Sequence, residues 1–455
     1  MRTWLDRLLG AVARLVLGIF FREVEVRGLD RLPLGRPMVL VSNHVNGLID
    51  PLLILGPLPF IPRFLAKSTL WKNPVTLPWV KLAGAIPVYR RQDEGADTSK
   101  NAEMFAQTYE LLARGGALAL FPEGKSHNEP ALQPLKTGAA RIVLEAHARF
   151  GDLGTRIVPV GLIFDAREHF RSRALVQVGE PVDPTPEMSL YKEDGPEAVR
   201  ALTRRVDQAL KQVTLNFPSW EEARLISRAA DLYARPRLDL PEGRRMAESF
   251  AFHRAFVEGY QEMKERFPDK VETVAGCVRE YDALLRKHRL RDAQIAAAYP
   301  SLPALRFVGR TLLRLVFPLP LAVIGTVLNW PPYRLVGEVV RRVVRTGDQQ
   351  ATYKLFGALF LFPLFWLLEA WLAGRWLGPG AAIVTFLAGP VTALATLRFY
   401  ERARQFLREA RAYLLLRFRK ELAAELRGRR EELFRQVEEV AELYEEGLGV
   451  VVAED

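Results

Sequence analysis

The chain has 455 residues, 49% hydrophobic and 26% charged, enough for two or three domains around a sizeable core. Lys and Arg number 64 against 53 Asp and Glu, a net charge of +11 and a pI near 9.7, which suits anionic partners: lipid headgroups, phosphorylated substrates or nucleic acid. The charge is spread out, with no dense basic block, zinc-finger spacing or aromatic–basic RNA motif, so nucleic acid is disfavoured. The lone Cys277 excludes an internal disulfide and fits a reducing compartment.

In the segment 1–25, Trp4, Leu5, Leu8, Leu9, Val12, Leu15, Val16, Ile19 and Phe20 recur at helical spacing, with Arg7 and Arg14 on the other face. The longest uncharged run, Leu15 to Phe21, is too short to span a bilayer. The segment reads as an amphipathic helix, either lying in a membrane interface or packed on the next domain. No small-residue cleavage site marks a removable signal peptide.

Residues 26–215, with a first strand just before them, alternate strand and helix. Strands are expected at Glu23–Val26, Met38–Val41, Arg63–Ala66, Ala85–Tyr89, Ala117–Phe121, Arg156–Leu162 and Leu175–Val178. Helices are expected at Pro51–Leu55, Lys100–Ala113, Lys136–Arg149 and Gly195–Val213. This order implies an α/β domain with a mixed, mostly parallel sheet flanked by helices. Such sheets place functional residues in loops at the carboxyl ends of strands.

Residues 216–302 read as two or three soluble helices punctuated by Pro236, Pro241 and Pro268, with no legible chemistry; His253 and His288 read as surface or packing histidines. Residues 303–400 form a hydrophobic, membrane-associated helical region. Leu355–Leu372 has one charge, Glu369, and Ala381–Leu397 has none. Together, 355–397 suggest a helical hairpin, a spanning one or a buried or re-entrant pair. Residues 401–455 are dense in Arg and Glu at helical spacing, a solvated or self-associating helix.

The chemistry begins at Pro37–Pro51. A buried strand, Met38–Val41, opens into Ser42-Asn43-His44; Asn46-Gly47 marks a turn, and Asp50-Pro51 restarts a helix with Asp50 as its cap. His44 and Asp50 are six positions apart, about 600° along a regular helix, so only a loop lets them meet. A carboxylate-held imidazole is a general base for a hydroxyl; taken alone, the pair also reads as a helix cap and a loop histidine. Three further stretches join it: Gly84-Ala-Ile-Pro-Val-Tyr-Arg-Arg91, Phe121-Pro-Glu-Gly124 and Ile157-Val-Pro-Val-Gly161. His127 beside Glu123 suggests a metal pair, but no third ligand follows at suitable spacing.

Together the four stretches resemble the sequence blocks of the glycerolipid acyltransferases, over about residues 35–165, roughly a third of the chain. The resemblance implies transfer of an acyl chain from a thioester, acyl-CoA or acyl-carrier protein, to a phosphorylated glycerol hydroxyl at a membrane. It implies His44 as general base and Asp50 as its orienting carboxylate. Asn43, Arg90, Arg91, Glu123, Gly124 and Pro159 then bind or position substrate, with Arg90 and Arg91 on the phosphate. No metal or redox cofactor is implied. Two departures point to one branch. Five residues separate His44 from Asp50 where many members have four, and Lys125-Ser126-His127 follows Gly124 where many read Thr-Arg-Ser. Lys125 then replaces the missing arginine, and Pro134-Leu-Lys-Thr-Gly138 adds Lys136. These features resemble the fungal-type glycerol-3-phosphate and dihydroxyacetone-phosphate acyltransferases. A lysophosphatidate or other lysolipid acyltransferase is the alternative, and a non-catalytic lipid-binding protein is the alternative from another class. The positive-inside rule, with Lys354 before the hairpin and Arg398, Arg402 and Arg404 after it, puts the catalytic domain on the cytoplasmic side.

Overall fold

The computed structural model describes residues 4–72, 76–90, 97–166, 170–237, 246–296, 309, 313–343 and 347–447. Its contacts form two compact units: residues 1–223 with 244–254 and 346–352, and residues 224–243 with 255–345 and 353–455.

The first unit is built on a seven-stranded sheet of β1 (Glu23–Arg27), β2 (Met38–Ser42), β3 (Arg63–Lys67), β4 (Ile86–Val88), β5 (Ala117–Leu120), β6 (Arg156–Phe164) and β7 (Arg173–Val178). Their spatial order is β1-β7-β6-β2-β5-β3-β4, parallel throughout except for the β6–β7 pair. The expected mixed, mostly parallel sheet is present, each strand within two residues of its expected ends. β2 is buried along its whole length, as a strand covered on both faces must be, which is why it reads as an unbroken apolar run.

Alternation sends Val39 and Val41 into a core shared with α4 (Asn101–Ala113), α5 (Gly138–Phe150) and α7 (Gly195–Val213), and Leu40 to the other face. At the end of α7 the Val213 carbonyl occupies the space a Cβ on Gly161 would need, so only glycine fits there. The chain runs from β2 through α2 (Ile49–Leu55) to β3 and β4, returns through α4 to β5, and crosses by α5 to β6 on the opposite side of β2. β2 is thus the point where the winding reverses, the usual place for a site in an open α/β sheet.

The helix α1 (Trp4–Phe20) has two apolar sides. Leu9, Ala13, Val16, Leu17 and Phe20 are buried, and the helix packs on α2. Trp4, Leu8 and Leu15 are 68%, 48% and 64% exposed, so packing on the domain leaves a second apolar side uncovered. Two short helices, α3 (Leu77–Leu82) and α6 (Thr185–Tyr191), were not legible in the sequence; each is a single turn or two, too short for periodicity to register.

The described residues of the second unit are helical. α8 (Trp220–Arg237) and α9 (Met246–Arg266) enter it, followed by α10 (Pro268–His288) and α11 (Asp292–Ala296). α12 (Leu319–Val343) lies against α14 (Pro379–Phe418), with Gly325 so close to Thr392 and Thr396 that a Cβ would collide. α13 (Gly347–Leu377) and α14 contain the two segments among the described residues long and apolar enough to cross a membrane, Thr352–Leu377 and Pro379–Phe418. Gly378, at φ +90°, makes the whole connection between them. Asn329 of α12 knots the three helices: its Oδ1 accepts the Trp366 Nε1–H at 2.9 Å, and its Nδ2 donates to Thr392 Oγ1 at 3.4 Å and to the Gly325 carbonyl at 2.8 Å. The charged tail is not one long helix. It breaks at Arg419, and α15 (Lys420–Gly447) buries Ala423, Leu426, Leu433 and Val437 and packs along α10. Cys277 lies in α10, partly buried.

Candidate active site

The site forms where β2 and β5, neighbours in the sheet, release their chains. Past Ser42, the side chain of Asn43 continues the β2–β6 ladder in place of a backbone. Its Nδ2 donates to the Leu162 carbonyl at 3.0 Å, and its Oδ1 accepts the Leu162 N–H at 2.8 Å. Asn43 therefore anchors the loop entry through its own amide.

His44 follows, and Nδ1 lies 2.9 Å from Asp50 Oδ2. The same oxygen accepts the Val45 and Asn46 N–H groups at 2.8 and 2.7 Å, while Oδ1 is buried without a partner. Asp50 is not the helix cap expected from sequence: α2 starts at Ile49, with Leu48 at its cap position. The carboxylate turns back into the preceding loop and organises it, which the left-handed Gly47, at φ 46°, permits. An acceptor at Nδ1 fixes the proton there and leaves the Nε2 lone pair open. The ring stacks on Phe121, centroids 4.1 Å apart, and the side chain is 18% exposed. One edge of the imidazole thus stays accessible while its plane is fixed.

Glu123 leaves β5 and is buried. Its Oε1 accepts the His44 backbone N–H at 2.7 Å; its Oε2 accepts the Gln133 N–H at 2.9 Å and pairs with His127 Nε2. The Glu129 N–H donates to His127 Nδ1 at 3.1 Å, so the His127 proton sits on Nε2 and points at the carboxylate. The His127 N–H also donates to the His44 carbonyl at 3.1 Å. The backbone of His44 is therefore held on both its donor and its acceptor by the 121–127 loop.

Gly124 has φ +76°, and the Lys136 ammonium fills the space its Cβ would take. Arg90 donates to the Gly124 carbonyl at 2.9 Å, and the Lys136 N–H donates to the Pro122 carbonyl at 2.8 Å. Two cations from distant parts of the sequence thus flank one glycine beside Glu123, with Lys125 exposed next to them. Guanidinium and ammonium groups gathered on a backbone turn form a natural anion site. Arg91 lies outside the described residues. Pro159 sits within β6 opposite Val41, its carbonyl accepting the Gly179 N–H at 2.9 Å, a packing position inside the sheet.

Phe121, noted in the sequence only as the start of Phe-Pro-Glu-Gly, supplies the ring under His44. Other residues of this site carry no signal in sequence. Asn101 grips the backbone of Tyr89 through both ends of its amide, at 2.9 and 2.7 Å, and so sets the approach to Arg90. Gln133 and Glu129 contribute only backbone N–H groups. Nothing about their side chains could have announced them.

Residues 23–163 match the family model described as Acyltransferase, and residues 225–445 match that of the glycerol-3-phosphate acyltransferase 2 C-terminal domain. Glycerol-3-phosphate O-acyltransferase 2 of Saccharomyces cerevisiae is 24% identical over 81% of this chain and 65% of its own length. Glycerol-3-phosphate O-acyltransferase 1 of the same yeast is 26% identical over 74% of this chain and 55% of its own length. The chain thus spans between about half and two-thirds of these relatives. The Mus musculus 1-acyl-sn-glycerol-3-phosphate acyltransferase alpha is 36% identical, over 31% of this chain and 46% of that protein. Among solved structures, a 1-acyl-sn-glycerophosphate acyltransferase from Thermotoga maritima is similar at 22% identity and TM-score 0.34, over 46% of this chain and 78% of that one.

Proposed function

We propose, from the premise that this chain belongs to the acyltransferase family, that it transfers a fatty acyl group from acyl-CoA or acyl-carrier protein to glycerol 3-phosphate. The observation that carries this reading is the His44–Asp50 pair: the imidazole is held at Nδ1 and open at Nε2, at the same edge of the sheet as the Arg90–Gly124–Lys136 cluster. An alcohol is a weak nucleophile, so Nε2 takes its proton as the oxygen attacks the thioester carbonyl. Asp50 stabilises the imidazolium that forms, and collapse of the tetrahedral intermediate expels the thiolate, which recovers that proton. Arg90 and Lys136 hold the acceptor phosphate, with Lys125 adding charge at the rim.

The C-terminal match to a glycerol-3-phosphate acyltransferase domain supports glycerol 3-phosphate over a lysolipid as acceptor. The higher identity to lysophosphatidate enzymes covers only about the catalytic third and favours the second reading, acylation of lysophosphatidate. Membrane residence rests on Thr352–Leu377 and Pro379–Phe418 as a hairpin turning at Gly378, with both outer ends and the catalytic unit cytoplasmic. The purified protein in detergent, assayed with glycerol 3-phosphate, dihydroxyacetone phosphate and lysophosphatidate against each donor, tests the reading. Turnover with glycerol 3-phosphate is expected. Preference for lysophosphatidate would select the second reading, and no turnover with any pair would leave a non-catalytic lipid-binding protein.

A further inference from the structure

The loop between His44 and α2 is held by its backbone donors, and one of its holders comes from far outside it. The His44 N–H goes to Glu123, the Val45 and Asn46 N–H groups to Asp50, and the Ile49 N–H to the Asn46 carbonyl. The Leu48 N–H donates to Thr352 Oγ1 at 3.0 Å, across 304 positions of sequence. Thr352 lies in the same compact unit as the loop, in the first turns of α13, and is the residue at which the apolar segment Thr352–Leu377 begins.

Leu48 occupies the cap position of α2, two residues before Asp50. Fixing its N–H fixes where α2 starts, hence where the Asp50 carboxylate stands, hence the plane and tautomer of His44. The other holders of this loop lie in the segment matched to the acyltransferase domain; Thr352 lies in the segment matched to the C-terminal domain. We propose that Thr352 is a positioning residue for the His44–Asp50 pair, a hydroxyl contributed by the C-terminal segment to complete the catalytic loop. The proposal rests on the acyl-transfer reading for its consequence in turnover, but not for the bond itself. It gives the C-terminal segment a task in catalysis besides attachment to a membrane.

The test uses the full chain in detergent micelles and two substitutions. Thr352→Val keeps the shape and removes the acceptor; Thr352→Ser keeps the acceptor and removes the methyl group. Thr352→Val is expected to lower kcat about tenfold, since a displaced catalytic group costs rate in the way a misplaced substrate does, with KM for glycerol 3-phosphate within about twofold. Amide exchange of the peptide covering residues 44–50 should quicken about fivefold or more, the ordinary consequence of losing a protecting hydrogen bond. The thermal midpoint should stay close to that of the parent, and Thr352→Ser should restore both readouts. A Thr352→Val protein with parental kcat and parental exchange overturns the proposal, as does a serine variant as impaired as the valine one. If the parent chain turns over no acceptor, the acyl-transfer reading fails while the exchange measurement still decides whether Thr352 holds the loop.

Discussion

The Glu123 carboxylate accepts the His127 Nε2–H on one oxygen and the backbone N–H of His44 on the other, so a second histidine stands behind the first. Glu123 and His127 are both buried, and the Glu129 N–H fixes His127 as the Nε2-protonated tautomer. His127→Ala removes one of the three donors on this carboxylate and opens a void beside it. Stability should fall by about 1–3 kcal/mol, the usual cost of unpairing a buried polar group. Turnover should fall about tenfold or more through the displaced His44 backbone. Denaturant melts alongside kcat measure the two effects, and parental values for both would show that the His127–Glu123 bond does not support the site.

His44→Ala should leave the protein folded and lower turnover by roughly 10²–10⁴, the range for loss of a general base. Asp50→Asn should be comparably severe because the Val45 and Asn46 N–H groups and His44 Nδ1 all converge on one oxygen. An amide oxygen in that place lacks the charge that steadies the imidazolium, and its NH2 would be buried where Oδ1 has no partner. Circular dichroism to confirm folding, with single-turnover kinetics, decides; a folded His44→Ala protein at more than half the parental rate removes His44 from the chemistry.

Arg90→Lys keeps the charge but loses the fork that reaches the Gly124 carbonyl, and Lys136→Met removes the ammonium while keeping a long apolar stem. Each should raise KM for the phosphorylated acceptor about tenfold, roughly 1.4 kcal/mol, with KM for the acyl donor little changed. Steady-state kinetics with each substrate varied in turn distinguishes this from a general loss. Equal weakening for both substrates would place the phosphate elsewhere.

The sheet was legible because each of its central strands is a short apolar run closed by a turn residue, and burial on both faces leaves no other reading for β2. His44 and Asp50 were expected as a base and its orienting carboxylate; the backbone contacts that Asp50 and Glu123 also make were not. Asp50 reads as a cap because Asp-Pro usually is one; only the folded loop shows its carboxylate pointing back to residues 44–46. Glu123 and Asn43 read as substrate contacts, yet Asn43 bonds the Leu162 backbone and Glu123 bonds two backbone N–H groups and the His127 ring, and a side chain's partner is set by tertiary approach. α12 lies in the region expected to be helical, but Pro318, Pro320 and Pro331-Pro332 interrupt its pattern and hide its bounds, whereas the Asn329 knot and the Gly325 contact arise only between helices.

The hairpin gives the last prediction, and the single native cysteine makes it clean. Burial pushes the Cys277 thiol up, with the Glu432 and Glu280 carboxylates adding to the effect. Less of it is thiolate near neutral pH than for a free cysteine, so its alkylation should be slow and quicken as pH rises. A cysteine placed at the turn, Gly378→Cys, would have nothing within 4 Å of its Cβ, although the left-handed φ of +90° adds some strain. Gly380→Cys, two residues on, has the same open space without that strain. Labelling with an impermeant maleimide should therefore report the turn well before Cys277 reacts. If Arg398, Arg402 and Arg404, which follow the apolar run of α14, face the cytoplasm as the positive-inside rule expects, the turn cysteine should label from outside in intact cells or sealed right-side-out vesicles. The two segments of 26 and 40 residues are amply long for a hydrocarbon core of about 30 Å. Labelling at Gly378→Cys and Gly380→Cys only after the cytoplasmic side is opened would exclude a spanning hairpin and leave a re-entrant or buried pair.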